Sequence, residues 1–126
     1  MKLRYGIIVA LLLGCTVFAE KEAKQQVVER TRPAEWDNLV PGGQFARLYG
    51  TGRIEVNTLH GQGVLSAGDR IVVEGVAEDS TIEAISIDDA PGFALGVQWH
   101  AEHDPSTQTV NAPLWRAFSA AMSGNN

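Results

Sequence analysis

His100 and Glu102 stand two residues apart at the end of the apolar run Phe93-Ala94-Leu95-Gly96-Val97-Gln98-Trp99. Side chains alternate faces along a strand, so this spacing directs both toward one spot. An imidazole beside a carboxylate supplies two members of a nucleophilic triad: the carboxylate orients the ring, and the ring withdraws a proton. Histidine suits that work because imidazole titrates near neutral pH. The third member is a nucleophile. Cys15 is the only cysteine of the chain. It follows an apolar run, but Val17 stands where the tight turn of a nucleophile elbow needs a glycine.

Other polar residues invite weaker readings. His60 and Gln62 lie in the glycine-punctuated segment Thr58-Leu59-His60-Gly61-Gln62-Gly63. An imidazole and an amide there could contact a substrate, or could satisfy loop backbone groups. His100, Glu102, His103 and Asp104 hold ligand types, but consecutive residues diverge and a catalytic zinc needs three converging ligands. No metal site is expected. The pair Asp88-Asp89 reads as a polar turn, and Trp115 and Phe118 read as core.

Those residues need elements to position them. With 126 residues the chain suffices for one domain. A net charge of -5 without a Lys/Arg cluster argues against nucleic acid as a partner. One cysteine excludes an internal disulfide framework and a cysteine-based zinc site.

Residues 1–19 look like a secretory signal: Lys2 and Arg4 precede the apolar residues 7–13, and the chain turns polar from Glu20. Leu12-Leu13-Gly14-Cys15 resembles a bacterial lipobox, which would make Cys15 a lipidation site. Val17-Phe18-Ala19 suits cleavage before Glu20. On either reading the chain is exported or lipid-anchored. The apolar run is shorter than the ~20 residues a membrane-spanning helix needs. The alternatives are a replaced N-terminal segment, or a buried first strand over residues 5–13. Residues 20–35 are charged and Gln-rich, and read as a linker or solvated helix ended at Pro33. The domain proper is placed at residues 36–126.

Within it, Leu39-Val40-Pro41-Gly42-Gly43 is an apolar step and a turn. A short helix is expected over residues 44–49, stopped by Gly50 and Gly52. Ile54-Glu55-Val56-Asn57 alternates as a strand does. Two β-branched runs, residues 70–77 and 81–87, flank the turn Glu78-Asp79-Ser80 and predict a hairpin. Residues 93–99 predict a strand buried on both faces. Leu114, Trp115, Phe118 and Met122 fall on one face of a closing amphipathic helix over residues 112–122.

Four segments, Asn57-Thr58-Leu59-His60-Gly61-Gln62-Gly63, Ile82-Glu83-Ala84, residues 93–102, and Asn111 with Leu114, Trp115 and Phe118, together resemble the C-terminal portion of gamma-glutamyl-gamma-aminobutyrate hydrolases. These are class I glutamine amidotransferase-like enzymes, and the resemblance covers roughly residues 39–122. It implies an α/β fold of flavodoxin-like type with a largely parallel central sheet, present here as its C-terminal strands, a β-hairpin and the closing helix. It also implies cytoplasmic cysteine hydrolases that cleave a small γ-glutamyl amide and need no cofactor. By the same resemblance His100 is the general base and Glu102 its orienting carboxylate, with Ala101 in place of the family's usual proline. The family's nucleophile sits in a Gly-x-Cys-x-Gly elbow well upstream, with the oxyanion donors beside it. Too few residues precede Leu39 to hold that half. The resemblance therefore leaves a Cys-His-Glu triad of which His and Glu are present, in a truncated or inactive member. The alternatives are a non-catalytic exported or lipid-anchored module, and a fragment that complements an upstream half. Parallel strands left without neighbours would pair with such a half, with a second copy of the chain, or with residues 7–13 acting as a replacement strand.

Overall fold

The structure, a computed structural model, describes residues 8–11, 24–27, 32–59, 62–102 and 109–124. Eight strands form one sheet: β1 (Ile8–Leu11), β2 (Lys24–Val27), β3 (Arg32–Leu39), β4 (Arg53–Thr58), β5 (Gln62–Ser66), β6 (Ile71–Ala77), β7 (Ile82–Ile87) and β8 (Ala94–Val97). Helix α1 spans Gln44–Tyr49, and α2 spans Ala112–Met122 after a 3-10 turn at Thr109–Asn111. The main path through the sheet is β1-β8-β7-β6-β3-β4. Ile82 of β7 pairs with Val76 on one edge and Val64 of β5 on the other, and β2 lies beyond β5.

The expected hairpin forms as β6 and β7, where β-branched residues fit a pleated, half-buried surface. Its turn is closed by Asp79, whose Oδ1 accepts the Thr81 N–H at 3.1 Å, and Ser80 takes a left-handed φ of 72°. Helix α1 is the expected short helix. It ends on Gly50 at φ 67°, whose N–H returns to the Ala46 carbonyl. Helix α2 matches its expected bounds and buries Leu114 and Ala121, one face at heptad spacing. Met122, expected on that face, is 59% exposed, while its neighbour Ala121 is buried.

Four expectations are corrected. The largely parallel order that the resemblance implies for the family's whole sheet is not the order of the strands described: β1–β8 is parallel, and every other described pairing is antiparallel. The helix or linker expected over residues 20–35 contains the strand β2 and the start of β3. Ladder bonds to β5 and β4 outweigh a weak local helix propensity. The loop expected over residues 58–63 narrows, since β4 runs to Thr58 and β5 begins at Gln62. The strand expected over residues 93–99 stops at Val97, and the chain bends at Gln98-Trp99.

The residues 7–13 expected either to be cleaved or to form a first strand contribute β1, which pairs with β8 with Leu11 opposite Val97. The core gathers Leu39, Phe45, Ile54, Val56, Ala84, Leu95, Val97, Trp99, Ala101 and Leu114 between the sheet and the two helices. Burial of each large apolar side chain in it stabilises the fold by roughly 1.5–3 kcal/mol. Trp99 meets Phe45 edge-on at 6.2 Å, and Phe45 stacks on Tyr49 at 6.3 Å. Among the described residues no helix is long and apolar enough to cross a membrane.

Candidate active site

The segment after β8 carries the chemistry. Gln98 donates its N–H to the Glu83 carbonyl of β7 at 2.8 Å, which continues the sheet by one bond before the chain turns. Trp99 then plunges into the core, almost wholly buried, and its Nε1–H donates to Asn111 Oδ1 at 3.0 Å. Ala101, also buried, offers its carbonyl to the Trp115 Nε1–H of α2 at 3.1 Å. Between these anchors His100 is 19% exposed by side chain, and Glu102 is 44% exposed. Burial of the odd positions turns the even ones outward.

His100 Nδ1 lies 2.7 Å from Glu102 Oε1. A carboxylate oxygen only accepts, so Nδ1 is the donor of this pair, and in the neutral ring Nε2 is then the acceptor. That tautomer is the one a general base requires. The two side chains converge, as their spacing predicts, but not by pleat alternation. β8 has ended, and a turn at Ala101-Glu102 folds the carboxylate back on the ring. The backbone of His100 is held as well. Asn57 of β4 donates Nδ2–H to the His100 carbonyl at 2.9 Å and accepts the His100 N–H on Oδ1 at 2.9 Å.

Of the other candidates from the sequence, Cys15, His60, His103, Asp104 and the side chain of Gln62 lie outside what is described. Asn57 and Asn111 stand out in the sequence only as parts of a resemblance. Their partners lie 43 and 12 positions away, and no local pattern announces such bonds. A second group has no counterpart among the sequence candidates. Carboxylate oxygens of Glu35, Asp37 and Glu83 lie within 4.8 Å of one another, with Asp37 and Glu83 buried. The available signal is Glu35-x-Asp37, which strand alternation puts on one face.

Comparisons with known proteins give the family and the fold. A family model, Peptidase C26, matches residues 13–102. The gamma-glutamyl-gamma-aminobutyrate hydrolase PuuD of Escherichia coli (strain K12) is 42% identical over 66 residues, which are 52% of this chain and 26% of that protein. This chain thus spans about a quarter of the length of that relative. Among solved structures, a GMP synthase component from Thermoplasma acidophilum superposes with a TM-score of 0.64 at 11% identity, covering 81% of this chain and 49% of that one. A glutamine amidotransferase of Thermotoga maritima superposes with a TM-score of 0.53 at 15% identity, covering 81% and 41%. At these identities the two structures speak for the fold: a glutamine amidotransferase-like α/β domain in part. With the family model spanning most of the sheet and reaching the His100–Glu102 turn, this chain belongs to the peptidase C26 family.

Proposed function

We propose that this chain serves the hydrolysis of γ-glutamyl amide bonds, with His100 as general base and Glu102 as its orienting carboxylate. The observation that carries this reading is the 2.7 Å contact from His100 Nδ1 to Glu102 Oε1, which leaves Nε2 free. The similarity to a γ-glutamyl amide hydrolase supports the substrate class. In the reaction, Nε2 takes the proton of a cysteine thiol, and the thiolate adds to the amide carbonyl. The tetrahedral adduct expels the amine, which leaves with the proton from His100, and a γ-glutamyl thioester remains. Water, deprotonated by the same nitrogen, hydrolyses the thioester to glutamate and the free thiol.

The described residues contain no cysteine. One source of the thiol is an upstream half bearing the Gly-x-Cys-x-Gly elbow that the resemblance implies, since this chain spans about a quarter of the relative's length. A second reading rests on the sheet. β1 runs parallel to β8 with Leu11 opposite Val97, so both strands finish at the same end of the sheet, and in the sequence Cys15 is four positions after Leu11. On that reading Cys15 is the nucleophile.

The test is glutamate release from γ-glutamyl-γ-aminobutyrate, by the chain alone and by the chain mixed with a polypeptide bearing a Gly-x-Cys-x-Gly elbow. Turnover is expected in one of the two arms. There, His100→Ala lowers it by about 10²–10⁴-fold, the usual worth of a positioned base. Glu102→Gln lowers it less. Cys15→Ser abolishes turnover only if Cys15 is the nucleophile. No turnover in either arm, or turnover indifferent to His100→Ala, overturns the proposal.

A further inference from the structure

We infer that Asn57 is the positioning residue of the His100 base, fixing the ring through the backbone of His100 itself; this rests on the reading of His100 and Glu102 given above. Three side chains pin the turn after β8, and they do different things. Asn111 holds the Trp99 indole, and Trp115 holds the Ala101 carbonyl. Asn57 alone among them bonds His100, and it takes both of the backbone groups that residue has.

A carboxamide offers a donor and an acceptor side by side, the pattern by which one strand residue pairs with another across a ladder. Asn57 thus supplies to His100 the neighbour that the sheet no longer provides once β8 has ended at Val97. With N–H and C=O both tied, the peptide planes on either side of Cα are fixed, and the Cα–Cβ bond points one way. The ring direction then needs only rotation about the side-chain bonds, which the Glu102 contact settles.

Asn57 is itself buried, as are Ile54, Val56 and Thr58 of the same strand β4. A side chain that lacks either a donor or an acceptor cannot make both bonds. An aspartate has two acceptors and would set a carboxylate oxygen against the His100 carbonyl.

The experiment is nitrogen-15 NMR of the His100 ring on the full chain, at a pH where the imidazole is neutral, with thermal midpoints recorded for every variant. In the unmodified chain the ring is expected as the Nδ1–H tautomer, opposite to the Nε2–H form that free histidine favours. Asn57→Ala is expected to shift the ring to the Nε2–H form, and Asn57→Asp to shift it in part. Val56→Ala, on the same strand, is expected to lower the midpoint and leave the tautomer alone, so loss of stability by itself does not move this readout.

Glu102→Ala separates the two layers. If it releases the tautomer and Asn57→Ala does not, Asn57 is structural only and the inference is overturned while the base reading stands. If Glu102→Ala leaves the tautomer unchanged, the base reading itself has failed. Should Asn57→Ala not fold, hydrogen exchange in the unmodified chain decides. The His100 N–H and the Asn57 side-chain N–H are both expected to be protected, and rapid exchange of either overturns the inference.

Discussion

At the scale of single residues, the site is an imidazole whose every polar contact is arranged by others. Glu102 sets the tautomer, Asn57 sets the backbone, and the neighbours Trp99 and Ala101 anchor the turn. Tyr49 shows the opposite situation. Its hydroxyl is buried and finds no hydrogen-bond partner among the described residues, and desolvation pushes the phenol well above its ordinary range. The unfolded chain ionises such a group near pH 10. Above that pH the folded state holds the proton longer than the unfolded state, so stability present below it is lost as pH rises. Melting curves of Tyr49→Phe and the unmodified chain should therefore diverge above about pH 10, with the unmodified chain falling more steeply. At neutral pH the variant should be as stable or up to about 1 kcal/mol more so, since an unmatched hydroxyl is removed. Parallel curves across that range would count against the burial of this phenol. His100 and Glu102 are legible in the sequence because they are close in the chain and chemically distinctive. Asn57 is not, because an asparagine at the end of a strand looks the same whether or not a distant backbone takes its amide.

At the scale of elements, a buried carboxylate ties a strand to a helix. Glu74 accepts the Phe45 N–H of α1 on Oε2 at 3.1 Å and the Ser86 hydroxyl on Oε1 at 2.6 Å. A glutamate among Ile71, Val72 and Val73 reads as the solvent-facing member of an alternating strand. Register shifts between Val73 and Val76 make a bulge that turns it inward. The strand is readable from its residue types, but the bulge is not. Gly43 completes the arrangement: a Cβ there would collide with Glu74 Oε2 and stand 3.0 Å from the Val40 carbonyl oxygen. Glu74→Ala should cost about 1–3 kcal/mol in denaturant unfolding, the range for stranding buried partners, and Glu74→Gln less because its carbonyl still accepts. An Ala variant as stable as the parent would remove Glu74 from the contacts that seat α1 beneath Trp99.

At the scale of the molecule, the mixed sheet explains how a chain spanning about a quarter of its relative's length builds a setting for His100 and Glu102. The parallel pair β1–β8 covers the edge of the His-bearing strand, and β7, β6, β3 and β4 extend the other side. Hairpin, short helix and closing helix are readable because each is local and strongly patterned. β2, β5 and β3 are not, since Lys-Gln-Gln-Val and the polar face of β3 gain their strand form from partners distant in sequence. On the proposed function, this scaffold presents His100 to a thiol that takes up a γ-glutamyl group. Intact-mass spectrometry after brief exposure to γ-glutamyl-γ-aminobutyrate tests it most directly, on the chain alone and with an added elbow-bearing half. One γ-glutamyl group in thioester linkage is expected with the unmodified chain, on Cys15 or on the added thiol, and none with His100→Ala. A thioester that forms as readily with His100→Ala, or that forms in neither arm, would contradict it.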